Sequence, residues 1–113
     1  MTMMLKSPQE IGTMAELRGQ IDELDRRLVD LLSVRQAHID RAAEIKPGEG
    51  LPARIEARVL DVLDKVEARA RLSGFDPVLA RQMWALMIED MIAREERVLG
   101  SGEKEQTYDG NPD

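Results

Sequence analysis

From Gln20 to Lys46 the chain contains neither proline nor glycine, and its apolar residues fall on one helical stripe. Leu17, Ile21, Leu24, Leu28 and then Leu31 or Leu32 recur at spacings of three and four, followed by Ile39 and Ala42. That period belongs to an α-helix with one buried face. Thr13-Met14-Ala15-Glu16 has the form of a capping box, which starts the helix near residue 14. Pro47-Gly48 stops it, so it runs to about Lys46. At 1.5 Å per residue such a helix is a rod of roughly 50 Å. A rod that long cannot bury itself in a small domain and must find other helices to pack against.

Two further helices follow. Pro52 opens the second, whose stripe is Ile55, Val59, Val62, Val66 and Ala70, with Ser73-Gly74 as its stop. Asp76-Pro77 starts the third, with Asp as N-cap and Pro at the first helical position, and it continues to about Leu99. A short helical turn near 8–11 is expected from Ser7-Pro8-Gln9-Glu10. No strand pattern is present, and aromatic residues make up only 3% of the chain, a balance that suits helix-on-helix packing. The reading is an all-α, three-helix chain: an N-terminal segment over 1–13, a helical domain over 14–99, and a polar tail over 100–113 expected to be disordered. Helix lengths permit either a monomeric bundle or a dimer in which the long helices pair.

Bulk chemistry removes several function classes. A net charge of −6 argues against nonspecific attraction to nucleic acid or anionic membranes. The absence of cysteine excludes disulfides and thiolate chemistry, and a single histidine, His38, makes a His-based metal site improbable. No apolar run reaches the ~18 residues of a membrane span. The opening MTMMLKSPQE lacks the apolar segment of a secretory leader, so a cytoplasmic protein is expected. There is no glycine-rich phosphate loop and no Ser/His/Asp set. No cofactor or metal is implied. An enzyme so equipped would act by holding a small polyanion in one shape and stabilising developing charge.

Some charged residues stand where apolar ones are expected. Arg35, Ile39, Ala42 and Lys46 share one helix face, so two cations end a groove of small apolar residues. Trp84, Ile88, Met91 and Glu95 repeat that spacing in the third helix, so a carboxyl interrupts an apolar stripe. Each has an ordinary alternative. Arg35 and Lys46 could cover the seam with their stems or pair with Asp40 or Glu44, and Glu95 could reach solvent at a fraying end. Arg18 lies about 100° round the helix from Arg35 and would serve another pocket or a partner subunit. Arg54 and Arg58, at the start of the second helix, sit where its dipole favours an anion, or are simply exposed. Asp22 and Arg26 have the spacing of a surface i, i+4 pair.

The stretch MAELRGQIDELDRRLVDLLSVRQAHIDRAAEIK (14–46) resembles the first helix of the AroQ-type, all-helical chorismate mutases. That helix carries L-R-x-x-I-D-x-L-D, then a second Arg and a Lys eleven residues later, and Arg18, Arg35 and Lys46 stand in that register. GFDPVLARQMWALMIEDMIAREE (74–96) is similar to the family's third helix, with Ile88-Glu89-Asp90 as its I-E-D motif. The resemblance implies an intertwined homodimer in which each site takes Arg35 and Lys46 from one chain and Arg18 from the other. These cations would clamp a small dicarboxylate, chorismate, for a Claisen rearrangement to prephenate in aromatic amino-acid biosynthesis. It also implies that Lys46 and the residue at position 95 contact the breaking ether oxygen.

This chain departs from the family pattern at three places. Glu95 stands where the family has Gln, so it donates to the ether oxygen only when protonated, and turnover should rise as pH falls. The family's Asp-x-x-Arg-Glu before the second helix becomes Pro52-Ala53-Arg54-Ile55-Glu56. The resemblance implies that Glu56 would hold a substrate hydroxyl, with Arg54 or Arg58 supplying the missing cation. Met91 replaces a polar residue of the pocket. The opening KSPQEIGTMAELRGQIDELD, the Pro-containing loop and IAREE are also similar to the isochorismate-pyruvate lyases, which share the fold and release salicylate and pyruvate. A third alternative is a non-catalytic helical dimer that binds a metabolite or a partner.

Overall fold

A computed structural model describes residues 4–99, and the expected tail over 100–113 lies outside the described residues. Among the described residues the elements are α1 (Met14–Ile45), α2 (Glu56–Ser73) and α3 (Pro77–Leu99), with short 3-10 turns at Pro8–Glu10 and Lys46–Glu49. All regular structure in this span is helical, as the periodicity predicts. No helix among the described residues is long and apolar enough to cross a membrane. The chain divides into two compact units, with the boundary between His38 and Ile39 inside α1.

In the first unit, residues 4–13 are fastened to the opening turns of α1. The Lys6 amide donates to Gln20 Oε1 at 2.9 Å, and Gln20 Nε2 donates back to the Lys6 carbonyl at 2.8 Å. Lys6 Nζ reaches Glu16 at 2.5 Å. Thr13 Oγ1 accepts from the Glu16 amide at 3.2 Å, satisfying one of the free N–H groups of the first turn. Glu23 holds both Arg26 and Arg27, and these hydrogen bonds lower its carboxyl from 4.5 to about 2. Arg26 therefore pairs with Glu23 and Asp30, not with the Asp22 that its spacing suggests. The apolar stripe of this unit remains open in the single chain: Ile21, Leu24, Leu28, Leu31 and Leu32 are all exposed.

The second unit comprises the last turns of α1, the connecting segment, and α2 packed on α3. Gly50 adopts φ 70°, and its N–H and that of Leu51 close the turn onto the Pro47 and Lys46 carbonyls. The second helix begins at Glu56 with Ile55 as N-cap, four residues later than Pro52 suggests. Residues 51–55 are instead a link without helix or strand, and Ala53 within it is buried in the core. Gly74, at φ 84°, ends α2 with its N–H on the Ala70 carbonyl, and the Phe75 N–H bonds the same carbonyl. Asp76 Oδ1 then caps α3, accepting from Val78 and Leu79 amides at 2.9 and 3.2 Å. The short turn makes α2 and α3 antiparallel. Arg81 crosses between them to Asp64 and Glu67 at 3.0 Å each.

The core of this unit is Ala53, Leu63, Ile88 and Ile92, flanked by Val59, Val62, Trp84, Ala85 and Leu99. Burial of Leu63 or Ile88 stabilises by about 1.5–3 kcal/mol each relative to exposure. Its charged member is Glu95, 5% exposed.

Candidate functional site

The α3 stripe that buries Ile88 and Ile92 necessarily carries Glu95 into the same face, since 88, 92 and 95 follow the i, i+4, i+7 rule. A bare carboxylate there would be strongly destabilising. Lys46 supplies the partner. It sits just past the last residue of α1, and its Nζ lies 2.6 Å from Glu95 Oε1. The same ammonium donates to the Ala53 carbonyl at 2.8 Å. Side-chain exposure is 17% for Lys46 and 6% for Glu95, so this is a largely desolvated ion pair. An ammonium has three N–H donors, and these two partners use two of them.

The geometry departs from one ordinary reading of each residue. Glu95 does not reach solvent. Lys46 does not pair with a surface acid, because Asp40 is taken by Arg94 and Glu44 by Arg41. Arg94 grips Asp40 with two parallel bonds, Nε to Oδ1 at 2.7 Å and a second to Oδ2 at 3.0 Å. That fork ties α3 to α1 just before Lys46, and it holds the Asp40 carboxyl below its ordinary range.

The segment before α2 is held in a similar way. Arg54 forks onto both carboxylate oxygens of Glu89 on α3, and Glu56 Oε1 lies 3.7 Å away. Glu89 raises the Arg54 guanidinium above its usual value, and Arg54 lowers the Glu89 carboxyl. Arg54 is not part of α2, as its position beside Pro52 suggests, but of the link that precedes it. Glu56 is the first residue of α2 and is exposed. Arg58 is also exposed and is engaged by Asp61 at 2.8 Å. Met91 is partly buried on α3 beside Ile92.

Two expected residues belong to the first unit. Arg35 is partly buried on α1, and Arg18 is exposed near the start of that helix. His38 is exposed, with Nδ1 2.8 Å from the Val34 carbonyl. Among the described residues no group of three or more His, Cys, Asp or Glu is gathered to hold a metal.

Sequence reading did not find the Ala53 carbonyl as a partner of Lys46, nor the Arg54–Glu89 and Arg94–Asp40 forks. Glu89 is visible as the middle residue of I-E-D, but nothing local says that a loop arginine will reach it.

The arrangement defines a class: an all-helical protein whose candidate site is a cation and a carboxyl joined at a helix face. Similarity to known proteins agrees. The sequence matches the family model for chorismate mutase type II over residues 17–96, and the chain belongs to that family. It is 26% identical over 89 residues to a chorismate mutase of Methanocaldococcus jannaschii, a match that covers 79% of this chain and 90% of that protein. It is also 29% identical over 98 residues to the T-protein of Enterobacter agglomerans, covering 87% of this chain. The match spans 24% of the T-protein's length.

Proposed function

We propose that this protein is a chorismate mutase, converting chorismate to prephenate as a cytoplasmic homodimer. The observation that carries the proposal is the buried Lys46–Glu95 pair, which holds an ammonium and a carboxyl side by side where the family places its ether-oxygen contacts. The rearrangement breaks one C–O bond and forms one C–C bond within a single molecule, with no net proton transfer and no covalent intermediate. The catalyst needs only to hold the folded conformer and stabilise charge growing on the ether oxygen. Lys46 retains one N–H beyond those given to Glu95 and Ala53. Glu95 adds a second donor when it carries a proton. Arg35 and, from the partner subunit, a second Arg18 bind the two substrate carboxylates, while Glu56, Arg58 and Met91 are assigned to the side of the ring hydroxyl.

The exposed stripe Ile21, Leu24, Leu28, Leu31 and Leu32 supports the homodimer, since an apolar helix face of that length calls for a covering surface. The link over 51–55 favours a second reading, isochorismate-pyruvate lyase, because it differs from the mutase pattern on the side that distinguishes the two ring hydroxyl positions.

Product analysis by NMR tests both readings. Purified protein is given chorismate and isochorismate in separate tubes at pH 5 and pH 7.5. Prephenate from chorismate, formed faster at pH 5, is the expected result. Salicylate and pyruvate from isochorismate with little prephenate would replace the mutase by the lyase. Turnover of neither would leave a non-catalytic binder with this fold.

A further inference from the structure

Three contacts converge on the irregular link before α2. The Ala53 methyl is buried among Leu63, Ile88 and Ile92. The Ala53 carbonyl accepts from Lys46 Nζ at 2.8 Å. The next residue, Arg54, forks onto Glu89, which is the neighbour of Ile88 on α3. A link without regular structure has no backbone ladder to hold it, so its place depends on such side-chain contacts. One alanine methyl is a small anchor, and a two-bonded Arg–carboxylate fork is of comparable strength even when partly exposed. Arg54 is 40% exposed and Glu89 57%, which leaves the fork reachable by solvent but geometrically specific.

We propose that the Arg54–Glu89 fork is a latch that positions Lys46: it holds the Ala53 carbonyl against the ammonium, and so aims Lys46 at Glu95 and at the substrate oxygen. The inference rests on the functional reading for its kinetic consequence but not for the latch itself. Arg54 then acts through Lys46 and not by touching substrate, and Glu89 becomes a positioning residue. Without the fork, the carbonyl moves away and Lys46 loses one of two fixed partners. Its long, flexible stem then samples other rotamers, and the fraction of molecules with a correctly aimed ammonium falls.

Two readouts test the latch on the full chain. Lysine acetylation by a water-soluble succinimidyl ester, followed by mass spectrometry, compares Lys46 with Lys65, whose side chain is 69% exposed. Glu89→Gln, or Arg54→Gln should the first variant fold poorly by circular dichroism, is expected to speed Lys46 labelling about three- to fivefold relative to Lys65. The charge-exchanged double variant R54E/E89R is expected to return it to within about twofold of the parent. With chorismate, kcat should fall by a similar factor while KM changes less than about twofold.

Lys46 labelling that is unchanged in the single variants would overturn the latch and leave the burial of Ala53 and the backbone contacts of Lys46 to hold the link. Faster labelling with an unchanged kcat would overturn the positioning role. Should the parent turn over no chorismate, faster labelling rescued by the exchange would still establish the latch, and only the assigned reaction would fall.

Discussion

Lys46 Nζ lies 2.6 Å from Glu95 Oε1, joining the end of α1 to a buried position of α3 across 49 residues of sequence. The pair holds these two elements in register, and each member is costly without the other. Removing one partner of such a pair typically costs about 3–5 kcal/mol, whereas replacing both by apolar groups of similar size is often neutral or stabilising. We expect Lys46→Ala and Glu95→Ala each to lower stability by about 3 kcal/mol in urea unfolding. The double variant K46M/E95L should recover most of that loss while remaining inactive. Equal losses in single and double variants would mean that the pair is not the stabilising unit described.

Arg35→Ala offers the cleaner separation of enzyme from structural helix, because the buried pair is left intact. If Arg35 holds a substrate carboxylate as proposed, its loss lowers kcat/KM for chorismate by about two to three orders of magnitude, with the unfolding midpoint nearly unchanged. A loss of stability with activity retained would return Arg35 to a packing role.

The pH dependence of turnover isolates Glu95. A carboxylate has no hydrogen to give the ether oxygen, whereas a protonated carboxyl or an amide has one. The rate with chorismate should rise from pH 8 to pH 5, and Glu95→Gln, whose amide donates at every pH, should flatten the profile. A parent profile already flat over that range removes Glu95 from the reaction.

Acid stability follows from the paired carboxylates. The folded Glu23 carboxyl is depressed from 4.5 to about 2 by its bonds to Arg26 and Arg27. A depressed folded value means the unfolded chain binds the proton more readily, so the contribution is complete above about pH 4.5 and is lost as pH falls toward 2. Asp40 and Glu89, lowered by Arg94 and Arg54, act in the same direction. The thermal midpoint should therefore drop below pH 4.5, and less steeply in Glu23→Gln. A midpoint independent of pH between 5 and 2 contradicts this account.

Helix ends provide a local control. Asp76→Ala removes the acceptor for the Val78 and Leu79 amides and should cost about 1 kcal/mol, with Asp76→Asn largely restoring it.

These outcomes depend on features with different ranges. The limits of α1 and the start of α3 are legible in the sequence because caps, breakers and a 3.6-residue period act over a few neighbouring residues. Thr13 and Asp76 announce their helices, and Gly74 announces a stop. The misplacement of Arg26 is equally local: its longer reach lets it turn back to Glu23 and forward to Asp30 instead of to Asp22. Similarly, the spacing of α3 alone makes Glu95 conspicuous on its apolar stripe.

Periodicity does not say what meets Glu95. A carboxyl on an apolar face can be buried and paired, or can turn out to solvent, and the choice depends on whether a cation from another element arrives. Pro52 presents the same difficulty: it is an acceptable first residue of a helix, yet α2 starts at Glu56 and Ala53 lies buried in the core ahead of it. Arg54 stands in that irregular link and reaches Glu89 on α3, a partner 35 residues away that no local spacing announces. Local chemistry therefore determined the helices and marked the charged residues that do not belong on their faces. Tertiary packing alone decided which charges meet, because an ion pair 49 residues apart leaves no periodic trace and forms only where desolvation makes isolation too costly.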